Sequence, residues 1–150
     1  SEAYPYAVFS GVREDPYFQT GQRNIPELRK RCPLPSIFIH PDDASKEGLV
    51  DGDWVKLETA YGEVTAELAV QDSMKPGHLR VPHGWWYPEL RGKVDLSGAF
   101  MSSDAVLCSD EDDFLDHEQG IPHFKGYPGR VVKAEKPAEL ESVFDVTGAR

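Results

Sequence analysis

The chain has 150 residues and 26 acids against 16 lysines and arginines, a net charge of −10, and its length suits one domain hiding roughly 70% of its unfolded surface. That acidity argues against nucleic acid and anionic membrane as partners; no stretch approaches the ~20 apolar residues of a membrane span, and no signal-peptide pattern is visible. Cys32 and Cys108 stand far apart with no CxxC pair, which argues against a disulfide framework, a structural zinc site or a four-cysteine iron–sulfur cluster, and for two small, buried or half-buried thiols.

Along the chain, Tyr4 to Phe9 reads as a strand ending at Ser10-Gly11, followed by a loop from Val12 to Arg23. Asn24 suits an N-cap, with Glu27 three residues on as in a capping box, so Ile25 to Arg31 reads as a short helix with Ile25, Leu28 and Cys32 on one face. Pro33 and Pro35 stop it, and Ser36 to His40 reads as a short buried strand. Pro41 opens a second helix with Asp42 and Asp43 in its first turn, where the dipole favours acids, and Gly48 closes it. Turn chemistry at Val50-Asp51-Gly52-Asp53 precedes a strand, Trp54 to Thr59, with Val55, Leu57 and Thr59 on one face. Beyond the Ala60-Tyr61-Gly62 turn, Val64, Ala66, Leu68 and Val70 alternate with polar or small residues. Lys75-Pro76-Gly77 turns the chain into a strand from Leu79 to Pro82. Strands this short, at this spacing, favour a closed barrel over an α/β sandwich.

From Gly84 the periodicity fades. Val94 to Phe124 holds eight acids and no Lys or Arg. Val94 to Gly129 reads as ordered loop with one helical turn, Arg130 to Ala134 as a last strand, and Leu140 to Arg150 as a tail. The acids from Asp110 to Glu118 lack the ligand order of a calcium-binding EF-hand loop and read as a solvated face or a docking surface.

The segment from Ile39 to Trp86, IHPDDASKEGLVDGDWVKLETAYGEVTAELAV…MKPGHLRVPHGWW, resembles the C-terminal molybdopterin-dinucleotide-binding domain of the dimethyl-sulfoxide-reductase family of molybdenum and tungsten oxidoreductases. YPYAVFSGVR resembles that family's first strand and GIPHFKGYPGRVV its closing segment, so the resemblance spans roughly residues 4 to 134 and leaves 135 to 150 as a tail. It implies a mainly β fold with short helices, a double-psi β-barrel. It also implies that residues 1 to 150 are one domain of a larger enzyme and that the cofactor is molybdopterin guanine dinucleotide. The implied partners are the remaining domains of that enzyme and an electron-transfer subunit, with no nucleic acid and no membrane contact by this domain. Compartment and reaction stay open.

Such a ligand has a diphosphate, a guanine and a pterin whose two sulfurs hold the metal. Gripping it takes close backbone approach, which glycine permits, cationic donors for phosphate, and amides, His or carboxylates for the heterocycle edges. By resemblance, the Ser10-Gly11-Val12-Arg13 turn supplies Ser10, Gly11 and Arg13. The Gln19–Asn24 loop supplies Gln19, Thr20 and Arg23, with Gln19 where the family has His. Pro82 to Trp86 supplies His83, Gly84 and Trp85 as a polar edge and an aromatic wall. Asp104 occupies a position where the family has Asn, and Lys125 matches a family Lys. His40 and His78 lack such context and read as structural or exposed. No residue matches the family's metal ligand, so neither a catalytic nor a metal-ligating residue is expected and the domain alone is expected to be inactive.

Two rival readings share the barrel. A self-processing pyruvoyl decarboxylase needs a Gly-Ser bond, and the sequence has none. A stand-alone interaction or substrate-recognition module, as in AAA ATPases, needs neither the Pro-His-Gly-Trp-Trp end nor the Arg-bearing loops.

Overall fold

The computed structural model describes residues 1–111, 115–122, 125–141 and 143. Among these the chain forms β1 (Tyr6–Val12), α1 (Pro26–Arg31), β2 (Ser36–Ile39), α2 (Pro41–Lys46), β3 (Trp54–Glu58), β4 (Glu63–Val70), β5 (His78–Pro82), α3 (Ala99–Ser102), β6 (Leu115–Asp116), β7 (Ile121–Pro122) and β8 (Lys125–Lys133). Six strands close into a barrel in the order β1-β5-β2-β4-β3-β8. Two pairs are parallel, β1 with β5 and β2 with β4, and the other pairings are antiparallel, which is the double-psi β-barrel.

Alternation sends Val8, Ile37, Ile39, Val55, Leu57, Val64, Ala66, Leu68, Leu79, Val81 and Val131 into one continuous core. Each fully buried Val, Leu or Ile there contributes roughly 1.5–3 kcal/mol of transfer free energy. Helix α2 starts at Pro41 and turns away at Gly48, φ +67, as the sequence suggests; the structure adds His40 as its N-cap, accepting from the Asp42 amide. Asp43, buried, ties α2 to the β4–β5 turn by accepting from the Gly77 amide at 2.6 Å and pairing with Lys46 at 3.0 Å. His78 stacks on Phe9.

Several expectations change. β1 does not end at Ser10-Gly11 but runs to Val12. Gly11 adopts φ +73, and an irregularity in register between Phe9 and Val12 lets the β5 ladder resume at Val12–Pro82. Asn24 does not cap α1: Ile25 holds that position without a side-chain bond, because Pro26 at the first helical position forces the residue before it to be extended. β8 begins at Lys125 rather than Arg130, since Gly129 packs directly on Val8 and Glu58 and keeps the strand in the barrel wall. The loop expected from Val94 holds α3, 3-10 turns at Asp95–Gly98 and Asp104–Leu107, and the β6–β7 ribbon.

Leu140 and Val143 are not part of a loose tail either; both are fully buried in a second core with Tyr17, Leu34, Trp85, Tyr87 and Leu90. The rest of the expected tail, 144–150, lies outside the described residues, as do Asp112 and Asp113 of the acidic run and His123-Phe124 of the closing segment.

Candidate functional site

The sequence patches that resemble a cofactor grip are far apart in the chain and meet at one end of the barrel. β1 reaches that end through the bulge at Gly11, and β5 delivers His83 and Gly84 beside it. The two are joined by the His83 amide, which donates to the Val12 carbonyl at 2.9 Å.

Asp104 lies beneath them, fully buried, on a 3-10 turn whose cap, Ser103, accepts from the Ala105 amide. The turn is pinned to the β3–β4 hairpin: Thr59 Oγ1 donates to the Leu107 carbonyl at 2.9 Å, and Gly62 sits against Val106 so closely that a Cβ would collide with its carbonyl. From this anchor Asp104 Oδ2 accepts from the Gly11 amide at 2.8 Å and meets His83 Nδ1 at 3.1 Å, while Oδ1 accepts from the Gly84 amide at 2.8 Å. One carboxylate thus binds the ends of both strands.

The Gln19–Asn24 loop lies over the same strand end. Gln19 and Gln22 hold left-handed φ of 50° and 70°, a strained arrangement for residues with a Cβ. Arg23 locks the loop from inside: it donates to the Gln19 carbonyl at 3.1 Å and the His83 carbonyl at 3.0 Å. Its guanidinium lies 4.9 Å from the Tyr17 ring centroid and 4.6 Å from that of Trp85, cation–π contacts in a desolvated setting. Burial lowers the Arg23 pKa, with Tyr17 and Cys32 pulling the other way, but a guanidinium stays charged there. Nearby, burial raises the Glu14 pKa against the pull of Arg80 and Arg23. Trp86 Nε1 donates to the Thr20 carbonyl at 2.6 Å, and Gly84, at φ +57, packs so tightly on Thr20 that any Cβ would strike its methyl group.

This arrangement divides the expected contacts. Gly11, Arg13, Gln19, Thr20 and Lys125 are exposed and His83 and Gly84 half-exposed. Ser10, Arg23, Trp85 and Asp104, also expected at the site, are 0% exposed and lie beneath that surface. Trp85 is no aromatic wall, since its ring is enclosed by Tyr17, Tyr87, Arg23 and Arg29. Arg13 lies over the exposed ring of Phe18, 5.2 Å from its centroid. Lys125 begins β8 opposite Phe9, one residue from Ser10, so the two exposed cations flank the bulge. Half-buried Trp86 and buried Tyr17, which brace the loop, were not among the expected contacts; aromatic residues flanking the Arg-bearing loop and the His-Gly pair were the available signal.

A cleft of about 270 Å³ continues past Arg23, lined by Asn24, Pro26, Arg29, Lys30, Pro88 and Glu89. Arg29 and Glu89 form a two-bond ion pair there, at 3.2 and 3.1 Å, and Arg29 also donates to the Pro33 carbonyl. Among the described residues no group of three or more His, Cys, Asp or Glu could hold a metal ion. Cys32 and Cys108 are free, half-buried thiols.

The chain is similar to known proteins over most of its length. The chain is 38% identical over 138 residues to acetylene hydratase of Syntrophotalea acetylenica, a match covering 91% of this chain and 19% of that protein. It is 31% identical over 104 residues to protein FwdD of Methanocaldococcus jannaschii, covering 69% of this chain and 62% of that protein. The solved structure of acetylene hydratase from Pelobacter acetylenicus superposes with a TM-score of 0.83 at 35% identity, over 89% of this chain and 19% of that one. The chain therefore spans about one-fifth of the acetylene hydratases it matches. The model of the molydopterin dinucleotide binding domain matches residues 8–127, from the middle of β1 to the start of β8, and the chain belongs to that family.

Proposed function

We propose that this chain binds molybdopterin guanine dinucleotide as the C-terminal domain of a larger molybdenum or tungsten enzyme, gripping it through Gly11, Arg13, Gln19, Thr20, His83, Gly84 and Lys125. The observation that carries the reading is the meeting of two separate chain segments, at Gly11 and at His83–Gly84, on the buried Asp104 carboxylate, with exposed or half-exposed groups of the grip at the same strand ends.

The donor set fits such a ligand. Arg13 and Lys125 offer charge-assisted donors to a diphosphate in an otherwise acidic chain, Gly11 and Gly84 allow close backbone approach, and Gln19, Thr20 and His83 match the polar edges of pterin and guanine. When bound, the cofactor supplies the dithiolene that holds the metal. The chain's own residues orient it; Ser10, Arg23, Trp85 and Asp104 keep the contact groups in place. Partners are the remaining domains of the same enzyme and, where its reaction moves electrons, an electron-transfer subunit. The substrate pocket and the metal's protein ligand belong to those other domains.

The test uses the complete protein. With Arg13→Ala/Lys125→Ala and with His83→Ala, pterin released by acid oxidation, free guanosine monophosphate and bound metal are measured. Each variant is expected to lose most of its pterin while keeping its fold. Unchanged pterin in both would refute the site, cytidine in place of guanosine nucleotide would refute the guanine form, and elemental analysis decides between Mo and W.

A further inference from the structure

Phe18 and Arg13 form a pair at the rim of the grip that the packing of the fold does not require. The Phe18 ring is 60% exposed and belongs to neither hydrophobic core, so burial does not explain it. Arg13 is exposed too, and in a chain with 26 acids it forms no hydrogen bond and no ion pair among the described residues. Its charge contact there is the Phe18 ring, with 5.2 Å between the guanidinium carbon and the ring centroid. The backbone that carries the ring is fixed on both sides. The Phe18 amide donates to Gln22 Oε1 at 3.2 Å, and the Phe18 carbonyl accepts from the Gly21 amide at 3.0 Å. Gln19, the next residue, is left-handed at φ 50 with its carbonyl held by Arg23, and Gln22 is left-handed at φ 70. Such backbone crowds the Cβ of any residue but glycine. Strain of this kind collects where a group must be held for a ligand, and here it holds an apolar ring out in solvent.

A guanidinium laid over a ring uses its face. Its N–H groups lie in its plane and stay at the edge, open to a second, anionic partner. A long side chain already settled on a ring also loses less freedom when that partner arrives. We propose that Phe18 is a positioning residue of the grip: it holds the Arg13 guanidinium by its face, so that the N–H edge meets the phosphate oxygens of the ligand as a two-pronged donor. This rests on the site reading above and separates its two cations. Arg13 is a directional donor that depends on a ring, whereas Lys125 is a point charge that does not.

Two measurements test this. First, the 150-residue chain, with its folded state checked by near-ultraviolet circular dichroism, is followed by proton NMR. The Cδ protons of Arg13 are expected to be shifted upfield by the ring in the parent chain and in Phe18→Tyr, and to return to the random-coil position in Phe18→Leu. No upfield shift in the parent chain, or the same shift in Phe18→Leu, overturns the proposal without reference to any ligand.

Second, the complete protein is purified with its cofactor, and the rate at which pterin escapes is followed by fluorescence. Phe18→Leu is expected to speed escape about two- to fivefold, the worth of an exposed cation–π pair, and Phe18→Tyr to stay near the parent rate. In an Arg13→Ala background Phe18→Leu is expected to add nothing, whereas in a Lys125→Ala background its full effect should persist. An effect of Phe18→Leu that survives in Arg13→Ala means that the ring touches the ligand or braces the loop by itself, and overturns the proposal. So does escape from Phe18→Tyr as fast as from Phe18→Leu. Faster escape in Arg13→Ala with no change in Phe18→Leu overturns it alone. No change in Arg13→Ala, Lys125→Ala or Phe18→Leu overturns the site reading along with it.

Discussion

The molecule has two cores built on different principles. The barrel interior is largely aliphatic: among the described residues of its hydrophobic cluster Tyr6 is the one buried aromatic. The second core, around Trp85, Tyr87 and Tyr17, encloses two buried arginines, Arg23 and Arg29, against the faces of aromatic rings. The barrel is held by non-directional burial, so many similar side chains would serve. The second core is held by donors that each need a particular acceptor, and those acceptors are the carbonyls of Gln19, His83 and Pro33 and the carboxylate of Glu89. Stability can come from the first kind of core alone. The second kind fixes where loops lie, and the loops it fixes carry the candidate site.

Breaking each core with one substitution should show the difference. Arg29→Met leaves Glu89, its side chain 10% exposed, without its partner and is expected to destabilise by about 3–5 kcal/mol, much of which returns in Arg29→Met/Glu89→Leu. Leu57→Ala in the barrel should cost about 2–5 kcal/mol, and no second substitution at a polar residue should restore it. Urea unfolding of the three variants measures both. Equal losses for the single and double changes at Arg29 would mean that packing on Trp85, and not the ion pair, is what matters there. Gly129→Ala is a milder probe of the barrel: its Cβ would press on Val8 and on the Glu58 carbonyl, an overpacking expected to cost about 1–3 kcal/mol in the same measurement.

The two cores also differ in how far the sequence disclosed them. Alternation at Val55-Leu57 and Val64-Ala66-Leu68 showed the barrel strands directly, because a strand with one buried face must repeat every two residues. The start of α2 at Pro41, with Asp42 and Asp43 in its first turn, was equally plain, since helix-start signals are local. The second core has no period. Tyr17, Trp85, Leu140 and Val143 are brought together by tertiary packing of irregular segments, so the burial of Leu140 left no mark in its neighbours. The site was legible in part: resemblance placed Ser10–Arg13, Gln19–Asn24 and His83–Trp86 in one grip, and the fold joins them. Which of these residues face outward was not legible, because Arg and Asp are commonly exposed. Only the aromatic faces around Arg23 and the two glycine amides on Asp104 explain why these two are buried.

Asp43 offers a smaller, pH-dependent probe at the edge of the barrel. Burial pushes its carboxyl pKa upward, but the Gly77 amide and Lys46 outweigh burial and hold it below the ordinary carboxylate value. A carboxyl lowered in the folded state stabilises above its unfolded pKa and loses that contribution as pH falls through the folded one. Asp43→Asn is therefore expected to cost about 1.5–3 kcal/mol at neutral pH, the range for a hydrogen bond to a charged group, and progressively less in acid. Thermal unfolding of both proteins across the acid range checks the convergence. A constant gap would place the effect in side-chain shape rather than charge.

The smallest effect expected is a chemical one, in the second core. Burial pushes the Cys32 thiol up to about 12; Glu14 adds to the rise, while Arg29 and Arg23 oppose it without reversing it. Two guanidinium groups so near a thiol would be expected to create a reactive thiolate if they were available to it. Here they are committed: Arg23 to two carbonyls, and Arg29 to Glu89 and the Pro33 carbonyl. Cys32 should thus react with iodoacetamide at mildly alkaline pH far more slowly than the same cysteine in the urea-unfolded chain, and Cys32→Ser should leave pterin occupancy unchanged. Mass spectrometry of the labelled peptides measures the rate. Fast labelling in the folded protein would show that the arginines reach the sulfur after all, and that this core is less closed than the barrel beside it.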